Sequence, residues 1–232
     1  MIQLKLNRKS KMSQRIFIFF VLLLAMQGNW LSGQETVTQK DSTPFSVVSI
    51  GKQVWMVENL NLDKFRNGDA IPEVRTAADW EKAGENKQAA WCYYDFNPLN
   101  GEKYGKLYNW YAVTDTRGLA PSGWHVPSDE EWAIMVKHLG GDELAAPKMK
   151  SKTGWQENEN VSNESGFSAL PGGHLQSDGS KFSPIFTSGY WWSTTAYGEN
   201  YAWMRRMNYY STYVTREDFY KRSGLSVRCV KD

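Results

Sequence analysis

The sequence predicts an α+β domain, with short helices in its first half and antiparallel hairpins in its second. Three observations carry that reading. The stretch PSDEEWAIMVKHLGG, from Pro127 to Gly141, holds a cap, an apolar stripe and a glycine stop, which together mark a helix. Two β-branched and aromatic runs, FSVVSI and QVWMVENL, flank Gly51-Lys52, a dipeptide of the length and type of a hairpin turn. After Leu170 the chain breaks into short aromatic and β-branched runs separated by turn residues. Helices followed by hairpins, rather than alternating with strands, indicate α+β.

In chain order, the first segment reads as an export signal. Lys5, Arg8, Lys9, Lys11 and Arg15 form a basic leader without an acidic residue, and an unbroken apolar run follows from Ile16 to Met26. That run is too short for a spanning helix, which needs about twenty residues, and matches the apolar centre of a secretory signal, about 7–15 residues. Small residues at Gly28, Ser32 and Gly33 place the expected cleavage after Gly33, so residues 1–33 are the signal peptide. Met12 is an alternative start, and an uncleaved anchor is the alternative reading. No cysteine follows the run, which argues against lipid attachment there. Membrane contact is thus expected only through the cleaved signal, with a secreted, periplasmic or cell-surface destination. Residues 34–44 (QETVTQKDSTP) are polar and expected to be a flexible lead-in. Residues 45–232 then form one domain, without an internal linker or repeat.

Inside the domain, TAADWEKA from Thr76 to Ala83 predicts a short helix capped by Thr76, and AAWCYYD predicts a strand. NPLNG, ending at Gly101, is a loop, and KLYNWYAV from Lys106 fits a short helix or a strand. In the main helix Ser128 caps and Glu131 closes a capping box. Trp132, Met135, Val136 and Leu139 fall at i, i+3, i+4 and i+7, and Gly140-Gly141 supply the stop. The later runs GFSAL, HLQ, GYWWSTT, YAWMRRM, STYVTR and LSVRCV read as strands, punctuated by Pro171-Gly172-Gly173 and Ser177-Asp178-Gly179.

Charge and cysteine content narrow the function. The chain has 27 basic and 25 acidic side chains. The signal takes five of the basic ones and no acidic one, leaving residues 34–232 with a net charge of −3. Without a basic excess to hold a phosphate backbone, nucleic acid is not an expected partner. Cys92 and Cys229 are the only cysteines, both in apolar, strand-like stretches. In an oxidising compartment they can form one long-range disulfide or stay as two buried thiols. Neither CxxC nor a paired histidine accompanies them, so no metal is expected on them.

The motifs GKQVWMVENL, YGKLYNWYAV, PSGWHVPSDEEW, GFSALPGG, GYWWSTT and GLSVRCVKD, in that order, resemble the Fibrobacter succinogenes major paralogous domain from about residue 45 onward. The resemblance implies a bacterial host. That family is similar in turn to the formylglycine-generating enzyme/sulfatase-modifying-factor domains, whose fold is a variant of the C-type lectin fold. Val126-Pro127-Ser128-Asp129-Glu130-Glu131-Trp132 stands in their Leu-Pro-Thr-x-x-Glu-Trp pattern, and Gly224-Leu225-Ser226-Val227-Arg228 resembles their Gly-Phe-Arg strand with an insertion. The resemblance therefore implies a C-type-lectin-like single domain. The oxidase members work through neighbouring reactive cysteines bound to copper. Here Ala120 stands just before Pro-Ser-Gly-Trp, where many relatives have a cysteine. Neither the oxidase chemistry nor its cofactor is carried over, and no cofactor is expected.

No catalytic set emerges from the remaining residues. His125 lies in a packed motif, His138 lies on the exposed flank of the helix, and His174 follows a Gly-Gly turn; only His174 invites a test for chemistry. None of them has HxxxH, HExxH or GxSxG spacing. Asp129, Glu130 and Glu131 suggest calcium, but negative charge in a first helical turn suits the helix dipole and explains them more simply.

The segment ENYAWMRRMNYYSTYVTREDFY carries the strongest functional signal. Strand alternation places Tyr201, Trp203 and Arg205 on one face and Met204, Arg206 and Asn208 on the other. With Tyr209 and Tyr213, the first set is the expected ligand-binding group, since aromatic rings and polar donors together suit sugars or peptides. The alternative is that these rings are ordinary core and cross-strand pairs. The expected function is a secreted or cell-surface, non-catalytic recognition module with an extracellular glycan or protein ligand. An exported glycan-active hydrolase or divergent oxidase is the alternative class, and a self-assembling surface protein is a third.

Overall fold

The computed structural model of the chain describes residues 35–37, 45–156 and 161–232. The expected signal peptide, its cleavage site and most of the lead-in lie outside the described residues. Within the lead-in, β1 (Glu35–Val37) pairs antiparallel with β2 (Phe45–Ile50). An edge strand needs only backbone partners, and β2 offers them on its free side.

The opening hairpin forms as expected. β2 pairs with β3 (Gln53–Met56), with Ile50 opposite Gln53 across the two-residue turn, where Gly51 takes a φ of 62°. That left-handed conformation suits glycine. α1 (Ala77–Glu85) follows, with the Thr76 hydroxyl accepting from the Asp79 N–H. β4 (Trp91–Cys92) comes next, then α2 (Gly101–Tyr104) and β5 (Leu107–Tyr108), which pairs antiparallel with β4. The stretch 106–113 resolves into both alternatives. β5 is followed by a helical turn, α3 (Trp110–Val113), because the Asn109 side chain accepts from the Ala112 N–H and starts a new helix.

β6 (Trp124–His125) leads into α4 (Asp129–His138), whose capping box between Ser128 and Glu131 is complete. Trp132, Met135 and Val136 are buried, and Gly140 and Gly141 take φ values of 108° and 92° beyond the helix end. α5 (Ala145–Met149) is the last helix among the described residues. The second half forms an antiparallel sheet of β7 (Ser188–Tyr197), β8 (Tyr201–Asn208) and β9 (Thr215–Tyr220) in that order. β10 (Val230–Lys231) returns to lie between β3 and β6, so the first hairpin and the last strand share one sheet, ordered β1-β2-β3-β10-β6.

Four of the late runs depart from their expected strands, and of these GFSAL and HLQ make only isolated bridges, at Ala169 and Leu175. Ser211–Val214 is irregular rather than the start of β9, because the Val214 N–H goes to the Asp142 carbonyl and not to a ladder. Leu225–Cys229 is buried but joins no single sheet. Its backbone is shared out, with Leu225 bonded to Tyr108, Ser226 to Tyr190 and Trp192, Val227 to Leu60 and Cys229 to Met56. It acts as a central seam between sheets.

The core divides around β7. Trp191 packs with Trp55, Trp132 and Phe167, while its neighbour Trp192 packs on the other face with Trp91, Tyr108 and Met204. Both indoles are fully buried, and their N–H groups donate to Asn59 Oδ1 (2.9 Å) and the Tyr108 carbonyl (2.8 Å). Of the two alternatives left open for the cysteines, the structure has the buried thiols. Cys229 belongs to the cluster of Trp192, and Cys92 to a separate cluster with Trp80, Leu107 and Leu175, each as a free buried thiol. Among the described residues no helix is long and apolar enough to cross a membrane.

Candidate functional site

The late sheet has two unlike halves. Near Trp191 and Met207 it is buried, while its far end, around the β7–β8 turn, is exposed. A register shift between Trp192 and Ala196 separates the two regions of β7. On the outer face of the exposed end Tyr201 lies opposite Tyr197 on one side and Tyr220 on the other, and Trp203 lies opposite Asp218. The exposed positions of β9 are Arg216, Asp218 and Tyr220, all on this face.

The rings here support one another. Tyr201 and Tyr220 stand 4.3 Å apart between centroids, and Tyr197 stands 4.5 Å from Trp203. On the β9 side the Arg216 guanidinium lies over Trp203, its Cζ 3.3 Å from the ring centroid. Trp203 is thus flanked by a ring from β7 and a cation from β9. Unlike the indoles of Trp80, Trp110, Trp191 and Trp192, its N–H has no acceptor among the described residues.

Asp129 anchors this arrangement from the first turn of α4. Its carboxylate accepts from Arg205 Nη1 at 2.6 Å and from Arg216 Nε at 2.9 and 3.0 Å. Burial acts to raise the Asp129 pKa, but the hydrogen bonds from Arg216 and Arg205 outweigh it and hold the carboxyl below its ordinary range. The Asp129 N–H in turn donates to Thr195 Oγ1 at 3.0 Å. One carboxylate at a helix N-terminus therefore fixes the cation that fixes Trp203.

The structure brings together only part of the expected set. Tyr201 and Trp203 share the outer face as alternation predicts. Arg205 shares it too, but is 2% exposed and spends its guanidinium on Asp129, so it positions the site without reaching the surface. Tyr209 and Tyr213 lie at the opposite end of β8, roughly 20 Å from Trp203 by strand rise. Tyr209 packs on the core cluster of Trp55 and Trp132, and Tyr213 is exposed beyond the turn. Tyr197 was missed because it precedes the segment with the obvious aromatic signal. Its place opposite Tyr201 depends on hairpin register, which alternation within one strand does not reveal.

The other polar candidates have definite partners. Glu131 Oε2 accepts from Ser128, and Glu131 Oε1 lies 2.6 Å from His125 Nε2. His125 Nδ1 lies 2.7 Å from Asp232 Oδ1. The expected scaffold role of His125 is visible here as a tie between β6, the start of α4 and the residue after β10. His138 is exposed beside Gly51. His174 packs edge-on against Tyr190 and Phe219, and burial followed by the Arg206 charge lowers its pKa to about 4. Its imidazole is therefore neutral near pH 7. No group of three or more His, Cys, Asp or Glu side chains among the described residues could hold a metal.

No curated protein and no solved structure matches the chain. Residues 48–231 match the Fibrobacter succinogenes major domain. That span takes in the domain from β2 to β10, and the chain belongs to that family.

Proposed function

We propose that this chain is an exported, non-catalytic recognition module of C-type-lectin-like fold, and that it binds carbohydrate on the outer face of the late sheet. The observation that supports this most is the rigid group Tyr197, Tyr201, Trp203 and Tyr220, with an indole N–H free to donate and Arg216 and Asp218 at its rim. Ring edges and phenols cover the apolar patches of a sugar, while Arg216 and Asp218 offer a donor and an acceptor to its hydroxyls. Preorganisation by Asp129 limits the entropy lost on binding. The position on the late sheet is where C-type-lectin-like folds commonly carry their ligand surface, and the pattern from Val126 to Trp132, with its capping box, is the feature that supports that fold. The basic leader and apolar run support export to the periplasm or cell surface.

A protein ligand is a second reading, favoured by the same Tyr, Trp and Arg composition, which is enriched at protein interfaces. A glycan and polysaccharide array probed with residues 34–232 and with the Trp203→Ala variant tests the proposal. Binding that vanishes in the variant is the expected result. Binding retained by the variant places the site elsewhere, and silence from both shifts the reading to a protein ligand.

A further inference from the structure

The exposed face of the late sheet keeps hydrogen-bonding groups that the fold itself does not use. Along β9 the side chains alternate. Thr215, Glu217 and Phe219 are half-buried, with Phe219 packed on Tyr190 and Trp192, while Arg216, Asp218 and Tyr220 are exposed. Asp218 therefore stands on the outer face, directly opposite Trp203. Its carboxylate has neither a hydrogen bond nor an ion pair among the described residues, although Arg216 is two positions away on the same face. Arg216 is not free to turn to it, because Asp129 holds both Nε and Nη2 and the guanidinium rests on the Trp203 ring.

Two donors and one acceptor group are left over. Arg216 Nη1 and Trp203 Nε1 have no acceptor among the described residues, and both can only donate. Asp218 can only accept, and its two oxygens can take two hydrogen bonds side by side. An anionic group would satisfy the donors but meet the Asp218 charge, and an ammonium group would satisfy Asp218 but meet Arg216. A hydroxyl both donates and accepts, so neighbouring hydroxyls can serve all three groups without bringing a new charge. The charges around Trp203 agree with this. Arg205 and Arg216 are balanced by Asp129 and Asp218, so this end of the sheet has no excess of either sign to draw in a charged polymer.

We propose that this face selects neutral, hydroxyl-rich sugars over charged ones, and that Asp218 is the residue that sets the choice, accepting from two adjacent hydroxyls while Trp203 Nε1–H and Arg216 Nη1–H donate to others. The selection rests on the carbohydrate reading given above and narrows it to one class of glycan. Attraction and rejection come from the same carboxylate: its bonds to hydroxyls are charge-assisted, and its charge repels a uronate or sulfate placed beside Trp203. Asp129 acts at one remove, since by holding Arg216 it keeps Asp218 unpaired and available.

The test measures binding of the purified chain and its variants to neutral polymers (a β-glucan, a xylan and a mannan), to the polyuronates polygalacturonate and alginate, and to the polycation chitosan, at low and high salt. At least one neutral polymer is expected to bind about tenfold more tightly than any charged one, with little change between the two salt conditions. Asp218→Asn keeps the shape and removes the charge and one acceptor oxygen, and should weaken neutral binding about tenfold, the usual worth of a hydrogen bond to a charged group. Asp218→Lys should reverse the preference in favour of the polyuronates. Because Asp218 is exposed, both variants should keep the parent Tm, which separates lost recognition from lost folding. A polyuronate bound as tightly as the neutral polymers, or unchanged affinity and selectivity in Asp218→Asn, overturns the proposal; if Trp203→Ala still removes binding in that case, the carbohydrate face itself stands. Binding to none of the polymers, or binding that survives Trp203→Ala, overturns the carbohydrate reading and the selection with it.

Discussion

Lys106, Lys150, Lys221 and Arg228 are all buried, and each turns its donors to carbonyl oxygens with an aromatic ring close by. Lys150 Nζ donates to the carbonyls of Tyr209 (3.3 Å) and Ser211 (2.6 Å), 5.2 Å from the Trp155 centroid. Lys221 does the same with Gly198 and Glu199 above Trp110, and Lys106 with Asn61 above Trp91. Arg228 donates to the carbonyls of Met56, Val57 and Phe167 and to Asn59 Oδ1. Carbonyl dipoles and ring faces solvate a cation without bringing a second charge out of water. Arg228→Met should therefore leave several buried acceptors unpaired and cost on the order of 3–5 kcal/mol in urea unfolding; a loss below about 1 kcal/mol would refute this account. Two histidines should give stability opposite pH dependences. His174 titrates at about 4 in the fold and near 6.5 when unfolded, so its contribution is complete above the unfolded value and is lost as pH falls toward 4. A shift of that size is worth about 3 kcal/mol. His125 has its pKa raised: burial opposes this, but the hydrogen bonds its ring donates to Asp232 and Glu131 prevail. Its contribution is complete below about 6.5 and is lost as pH rises through the higher folded value. Tm measured across pH should show a flatter acid limb in His174→Phe and a flatter alkaline limb in His125→Gln.

At the scale of elements, what was legible in the sequence was what is decided locally. The α4 helix could be placed from Ser128, Glu131, the stripe from Trp132 to Leu139 and the two glycines, because cap, stripe and stop all lie within one short segment. The opening hairpin was legible for the same reason. The run Leu225–Cys229 looks like a strand because it is β-branched and apolar, yet its partners are spread over Met56, Leu60, Tyr108, Tyr190 and Trp192. Nothing within the run specifies those separate partners. The start of β9 was equally hidden, since it is set by a bond from Val214 to Asp142 across the fold. Ser128→Ala removes a hydroxyl that accepts from the Glu131 N–H and contacts the Glu131 carboxylate. It should cost about 1 kcal/mol, the usual worth of an N-cap, and the loss should persist at high salt because the cap is a hydrogen bond rather than a surface ion pair. Thermal unfolding of the variant at low and high salt measures both.

Over the whole molecule, the candidate site was legible as a composition and not as a place. The segment from Tyr201 to Tyr220 advertised its rings and arginines, but the surviving group combines β7, β8, β9 and the first turn of α4, with Asp129 distant in sequence from the arginines it holds. The same long-range packing decides the cysteines. A bond from Cys92 to Cys229 would close a loop of more than a hundred residues and stabilise the fold by roughly 4–5 kcal/mol. Each thiol is instead fully buried in its own cluster. Burial pushes the Cys229 pKa up to about 12 and raises that of Cys92 well above its ordinary value, so neither supplies the thiolate that exchange or oxidation requires. Three linked results follow. A thiol reagent at pH 8 should leave the native protein unmodified over hours and react with both cysteines once guanidinium unfolds the chain. Reductant should leave Tm unchanged, and Cys92→Ala with Cys229→Ala should lose only packing energy, with the same Tm under oxidising and reducing conditions. A Tm that falls by several degrees on adding reductant would show instead that the two clusters approach closely enough for the disulfide to form.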